Sequence, residues 1–201
     1  MTLAWAFGYF GTALLYAALA AALVGAGPAA LARLAGRPAL VAAFRRRVLP
    51  AFTAFVLVFL ALHPFPNAVI MTCPQADTQA QLRPLGFGAR YLEMVRNDVP
   101  PLARLRDLTI SSSIMNLVVC MGFGSALAWA GFRPLAATCA GLALSLSVET
   151  AQLTALFGIY PCPYRQFDVD DLILNTAGTL LGAALAGALL HRHRGRRAGG
   201  P

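Results

Sequence analysis

The chain has 201 residues, 58% of them hydrophobic and only 12% charged, with a mean hydropathy of +0.66 and a formal net charge of +8. A water-soluble domain carries about twice that charged fraction, so the composition excludes a soluble globular enzyme and makes lipid the solvent for most of the chain. Apolar runs near the length of a bilayer-spanning helix, about 20 residues, occur at residues 3–24, 48–64, 110–131, 134–157 and 172–190. They predict an all-α integral membrane bundle of five transmembrane helices in one membrane domain, 1–201. A long exterior loop joins helices 2 and 3, and a basic cytoplasmic tail fills 191–201.

The first run lacks a positive leading segment and is longer than the core of a cleaved signal peptide, so it reads as an uncleaved span. Arg33, Arg37, Arg45, Arg46 and Arg47 follow it with no acid among them. The second run is the weakest, with Pro50 near its start and His63–Pro64 closing it; proline is tolerated in a first helical turn. Next comes a segment, 65–108, broken by Pro74, Pro84, Pro100 and Pro101. Within 88–99, Tyr91, Leu92, Met94 and Val95 recur at helical intervals and predict a short amphipathic helix, on the outer membrane surface or over the mouth of the bundle.

Charge orients the spans. Arg133 stands alone between the third and fourth runs, and Arg192, Arg194, Arg196 and Arg197 follow the fifth, again without an acid. Seven of the eight acids fall in the other two loops: Asp77, Glu93, Asp98 and Asp107 in one, Asp168, Asp170 and Asp171 in the other. The positive-inside rule then predicts a multi-pass protein of the cell membrane, amino terminus outside and carboxyl terminus in the cytoplasm. The same rule accounts for the arginines behind a pI near 10.2, so membrane lipid rather than nucleic acid is the expected partner of the tail. His191 and His193 read as solvated. No metal-ligand cluster or nucleophile–histidine pair stands out, and no metal or cofactor is expected.

Two cysteines, Cys120 and Cys139, lie inside spans and read as packing residues. Cys73 and Cys162 lie in the two exterior loops, where a disulfide can persist. A Cys73–Cys162 bridge pinning the long loop to the short one, or two free thiols, are the alternatives.

The polar residues of the spans fall into stripes. Ser145, Glu149 and Gln152 share one face of the fourth run, with Gly141 extending it. Asp171, Asn175, Gly178 and Gly182 share one face of the fifth, and Asn116, Cys120 and Gly124 one face of the third. Such stripes turn toward other helices in lipid, with Gly124, Gly178 and Gly182 suited to close packing. At a rise of about 1.5 Å per residue, Glu149 lies roughly 12 Å below the outer end of its run, Asn116 roughly 9 Å and Asn175 roughly 5 Å. Asp168 and Asp171 sit at the rim, near the positive end of the fifth helix. A carboxylate in hydrocarbon is a functional-site hypothesis by default. Arg165, between Tyr160 and Tyr164 on one side and Asp168 on the other, is the nearest plausible cation, and its pairing with Glu149 or Asp168 would form a gate.

These same residues carry a family resemblance. S-V-E-T-A-Q-L, then Arg165, then F-D-V-D-D-L-I-L-N-T-A-G-T-L-L-G resemble the signature of the VanZ-like family, small bacterial membrane proteins named for teicoplanin resistance. The pattern falls on Glu149, Gln152, Arg165, Asp168, Asp171, Asn175, Gly178 and Gly182, with Asn116 and Gly124 matching an asparagine-led helix before it. Cys120 and Gly122 depart from the Phe and Pro that members often show, and L-R-P-L-G-F at 82–87 stands in for an N-x-x-P-F-type segment. The likeness covers about 110–190. It implies a helical protein of the bacterial cell envelope, in some members linked to antibiotic resistance, and it implies no particular reaction. The leading reading is an outward-facing pocket of Glu149, Gln152, Arg165, Asp168, Asp171, Asn175 and Asn116 that engages an amphiphilic envelope molecule, such as a lipid-linked cell-wall precursor or a lipoglycopeptide. The alternatives are an intramembrane enzyme using Glu149 or Asp168 as acid or base, a proton-coupled carrier and a scaffold without a ligand.

Overall fold

The computed structural model describes residues 3–62, 65, 67, 71–73, 80–163 and 165–198. His63, Pro64, Pro74, Asp77 and Tyr164, all used in the sequence reading, lie outside the described residues. The fold is all-helical, and the strand-like pairing among the described residues is a single bridge between Gln81 and Asp168.

Helix α1 (Leu3–Ala21) continues through a π-helical turn (Ala22–Ala26) into α2 (Gly27–Leu34), so the first span runs ten residues past its expected end at Val24. Pro28 explains the turn: it has no N–H to give, and the wider π turn, with Gly27 donating to the Ala22 carbonyl, carries the helix across it. Gly36, at φ 64, then ends α2, where Arg37 donates to Ala32 and Gly36 to Arg33. Helix α3 (Pro38–Leu62) returns alongside, with Tyr16 stacked on Phe59 at 5.2 Å and Gly25 tight against Val48.

Helix α3 starts ten residues before the expected second span and takes Arg45, Arg46 and Arg47 into its first half. Its uncharged part, 48–62, is about 22 Å long at 1.5 Å per residue, short of a hydrocarbon core of about 30 Å. The other long helical segments are different. Gly11–Leu34, Leu108–Trp129, Pro134–Leu153 and Val169–His193 are each long and apolar enough to cross a membrane. The described residues thus hold four candidate spans where the sequence suggested five.

The amphipathic segment forms α4 (Gly86–Arg96), followed by α5 (Pro101–Arg106). Met94 is buried while Tyr91, Leu92 and Val95 stay exposed, so one edge of α4 packs on the bundle and the rest faces outward. Asp107 caps α6 (Leu108–Trp129), accepting from the Thr109 and Ile110 amides and from Arg90, which also pairs with Glu93. Burial alone would raise the Asp107 carboxyl, but the Arg90 guanidinium and the two amides outweigh it and hold the group below the usual carboxylate range.

Helix α7 (Pro134–Leu153) stops four residues before the expected Phe157. The chain there makes a left-handed turn, α8 (Ala155–Gly158), with φ of 54, 56 and 58 at Ala155, Leu156 and Phe157. Helix α9 (Val169–Ala198) runs on into the expected tail, with its acids Asp170 and Asp171 in the first turn, where they complement the helix dipole.

Helices α6 and α9 meet most closely. A Cβ on Gly124 would overlap the Thr179 carbonyl, one on Gly178 the Leu117 carbonyl and one on Gly182 the Met121 carbonyl. Gly141 of α7 admits the Thr179 side chain in the same way, leaving that threonine 0% exposed. Small residues let backbones approach where lipid offers no hydrophobic drive. Phe123, Leu127, Ala137, Ala183 and Ala186 fill the core beside this seam, with Ala54 and Leu57 of α3 packed on it.

Candidate functional site

The polar stripes of α6, α7 and α9 meet beyond that core, toward the end of the bundle where α3 and α7 finish and α6 and α9 begin. Glu149, 2% exposed, accepts at Oε2 from the main-chain N–H of Asp168 at 2.9 Å. Asn116 donates to Asp171 Oδ1 at 2.6 Å. Asn175 donates to Ser145 Oγ at 2.9 Å and accepts the Cys120 thiol at 3.1 Å. Thr179 closes the layer from below, donating to the Asn175 carbonyl at 2.8 Å. Each bond joins two elements or fixes a side chain that does, which satisfies polar groups that lipid would leave unmet.

Of the expected residues, Gln152 has a role beside the cavity as well as in it, and Asp168 lies outside its lining. Gln152 donates to the Ala61 carbonyl at 3.0 Å, satisfying one of the last carbonyls of α3, which have no partner within their own helix. Asp168 is the residue before the first turn of α9 and accepts from the Asp170 amide at 2.8 Å, the geometry of a helix cap. It also accepts from Gln81 at 3.2 Å, while Gln81 pairs through its backbone with Phe167 and Val169. The expected depths shift as well. Because α7 ends at Leu153, Glu149 lies about 6 Å from that end; Asn116 lies about 12 Å and Asn175 about 9 Å into their helices, at 1.5 Å per residue.

A cavity of about 250 Å³ opens between α3, α6, α7 and α9. Glu149, Asp171, Asn116, Asn175, Gln152 and Arg165 line its polar part, and Leu57, Met115, Val119, Phe123, Leu144 and Val148 its apolar part. Arg165, half-buried, therefore shares the cavity with both carboxylates. A disulfide joins Cys73 to Cys162, Cα to Cα 5.9 Å, and ties the long loop to the segment that carries Arg165. The described residues hold no group of three or more side chains suited to a metal ion. Two acids, an arginine and amides beside an apolar wall can bind a polar head and an alkyl chain together, or exchange protons.

The roles of several residues that build this site carry no signal in the sequence. Asp170, 4% exposed, accepts from the main-chain amides of Leu85 and Phe87 and so fastens the loop before α4 to the head of α9. Gln81, Cys120 and Thr179 also hold positions there. Cys120 was legible as a member of the Asn116 stripe but not as a donor.

A family model described as VanZ/LLP1 matches residues 48–190. The chain belongs to the VanZ/LLP1 family. The match spans α3 to α9 and begins far ahead of the 110–190 region in which the likeness is legible by eye, at the residue where the uncharged part of α3 starts. With four helices fit to cross a bilayer, this VanZ/LLP1 member is a multi-pass membrane protein. Comparison with the curated proteins and with the solved structures gave no match.

Proposed function

We propose that this VanZ-type protein binds an amphiphilic molecule of the cell envelope, its polar head in the cavity and its chain against the apolar wall. The observation that carries the reading is the cavity itself, which brings Glu149 of α7, Asp171 of α9 and Arg165 of the loop between them together with Leu57, Met115 and Val119. Keeping two carboxylates among apolar helices is costly unless they are paired or used. Family membership favours an antibiotic-resistance type of role, and lipid-linked cell-wall precursors and lipoglycopeptides of the teicoplanin class both combine a polar head with a long chain.

In this reading the protein crosses the inner membrane five times, amino terminus outside, with the cavity opening outward. Ten of the sixteen arginines lie in the segments 33–47, 133 and 192–197, and no acid accompanies them, which suits the cytoplasmic side. Helix α3 then serves as a short fifth span, accommodated by tilt or local thinning of the bilayer at a modest cost. The test is binding of teicoplanin and of a lipid-linked precursor to the purified protein in nanodiscs, compared with a Val119→Trp variant that fills the cavity. Saturable binding lost in the variant is expected. No saturable binding of these ligands or of any single-chain amphiphile, or binding that Val119→Trp leaves intact, refutes the reading.

One observation favours a second reading, acid–base catalysis: Glu149 and Asp171 line a single cavity. Asp171 replaces Asp168 as the second acid, since the Asp168 carboxylate serves the cap of α9. Conversion of the bound ligand, abolished by Glu149→Gln, would establish it.

A further inference from the structure

We propose that the head accepted by this cavity is a protonated amine, so that the ligand is an alkyl-ammonium amphiphile rather than a phosphate or pyrophosphate one. The inference rests on the binding role argued above and narrows it.

Charge is the first ground. The cavity wall carries two carboxylates, Glu149 and Asp171, against one guanidinium, Arg165. A third carboxylate, Asp168, is joined to Glu149 through its own backbone. A phosphate or pyrophosphate brought among these groups adds like charge to an acid-rich site in a low-dielectric setting, where repulsion is strong. An ammonium balances it.

Hydrogen-bonding capacity is the second ground and is independent of net charge. Besides Arg165, the amide and thiol donors of the polar layer each give one hydrogen to a protein acceptor: Asn116 to Asp171, Gln152 to the Ala61 carbonyl, Asn175 to Ser145 and Cys120 to Asn175. The orientation of the first two amides follows from chemistry, because a carboxylate and a carbonyl can only accept from a nitrogen. With their nitrogens turned this way, Asn116 and Gln152, both lining residues, keep their side-chain oxygens as acceptors. An ionised carboxylate offers about four acceptor positions. Among the described residues Glu149 uses Oε2 for one bond and Asp171 uses Oδ1 for one. The site thus has acceptors to offer, and an ammonium brings three donors and no acceptor.

Size is the third. At about 250 Å³ the cavity falls below the roughly 300–1,000 Å³ of pockets that enclose drug-sized ligands. It suits a compact head such as an aminomethyl or aminoethyl group, with the alkyl chain leaving along Met115 and Val119. The apolar wall distinguishes this occupant from a bare metal cation, which would gain nothing from it.

The test uses three diazirine photoprobes with the same twelve-carbon chain and an ammonium, a phosphate or a hydroxyl head, on the full chain in nanodiscs of phosphatidylcholine, with adducts mapped by mass spectrometry. The ammonium probe should label cavity peptides of α6 and α7 at a half-saturating concentration at least tenfold below that of the phosphate probe. Glu149→Gln, which keeps a carbonyl to receive the Asp168 amide, should shrink the ammonium-over-phosphate preference severalfold. Equal or stronger cavity labelling by the phosphate probe overturns the inference and leaves the binding role standing. No cavity labelling by any probe overturns both. Competition by sodium chloride but not by choline chloride at equal ionic strength also overturns it, since that result marks a metal-cation site. Should Glu149→Gln fail to fold, the headgroup comparison on the unaltered chain decides alone.

Discussion

Replacing Asp170 by Asn should free the loop ahead of α4 without disturbing the cavity floor. Both Asp170 oxygens accept a main-chain amide, Oδ1 from Leu85 and Oδ2 from Phe87, the latter at 3.2 Å. They also hold Leu85 at φ 64, a left-handed conformation that costs an L-residue roughly 1–2 kcal/mol. Gly86 lies between the two amides, where an added Cβ would stand 3.3 Å from Oδ2. Asparagine keeps one acceptor and turns an NH₂ toward the other amide, so one charge-assisted bond is lost. A bond to a charged group contributes about 1.5–3 kcal/mol, and local opening should therefore rise roughly 10- to 100-fold. Hydrogen–deuterium exchange of a peptide covering 81–96 in nanodiscs reads this directly. Asp171→Asn, one residue on, should leave that peptide protected and loosen α6 near Asn116 instead. Unchanged exchange at 81–96 in Asp170→Asn, or the same exchange pattern in both variants, would refute the division of labour between the neighbouring acids.

Three further outcomes follow from the packing and the charges. Gly182→Ala and Gly124→Ala should each destabilise the bundle by about 1–3 kcal/mol, as overpacking does, whereas Gly122→Ala, with open space around it, should leave thermal unfolding unchanged; equal Tm values for all three would remove the close-packed seam. Asp107 is held below its ordinary value of 3.8 by Arg90 and the helix cap, so its contribution is present above that pH and lost as the pH falls through the folded value. The Tm gap between the parent chain and Asp107→Asn should then be open at pH 7 and close in acid, and a gap that widens on acidification contradicts the cap. Reducing the Cys73–Cys162 bridge, which closes a separation of 89 residues, should lower stability by up to about 4.6 kcal/mol on the chain-entropy view. It should also raise exchange around Arg165, and a Cys162→Ser variant indifferent to reductant is the control.

How much of this was legible in the sequence depends on whether a feature is periodic. The spans and their polar faces repeat every three to four residues, so Glu149, Asn175 and Asn116 could be placed on facing stripes from spacing alone. Span ends are set by single events instead: Pro28 widens a turn and lets the first helix continue, while Arg45, Arg46 and Arg47 ride on α3 because nothing in their backbone forbids helix. The cluster of acids at 168–171 shows both cases within four residues. Asp171 lies in register with Asn175, Gly178 and Gly182 and turns with them toward α6 and α7. Asp170 stands about 100° away around the same helix, and Asp168 precedes the first turn. Their different directions were therefore readable. What each would meet was not, because the partners come from a loop more than eighty residues earlier, where Gln81, Leu85 and Phe87 present main-chain groups that no side-chain pattern advertises. A site assembled in this way has its chemistry written on the helices and its roof supplied by backbone. Substitutions on the helices should therefore alter what is bound, and substitutions in the loop should alter how readily it enters.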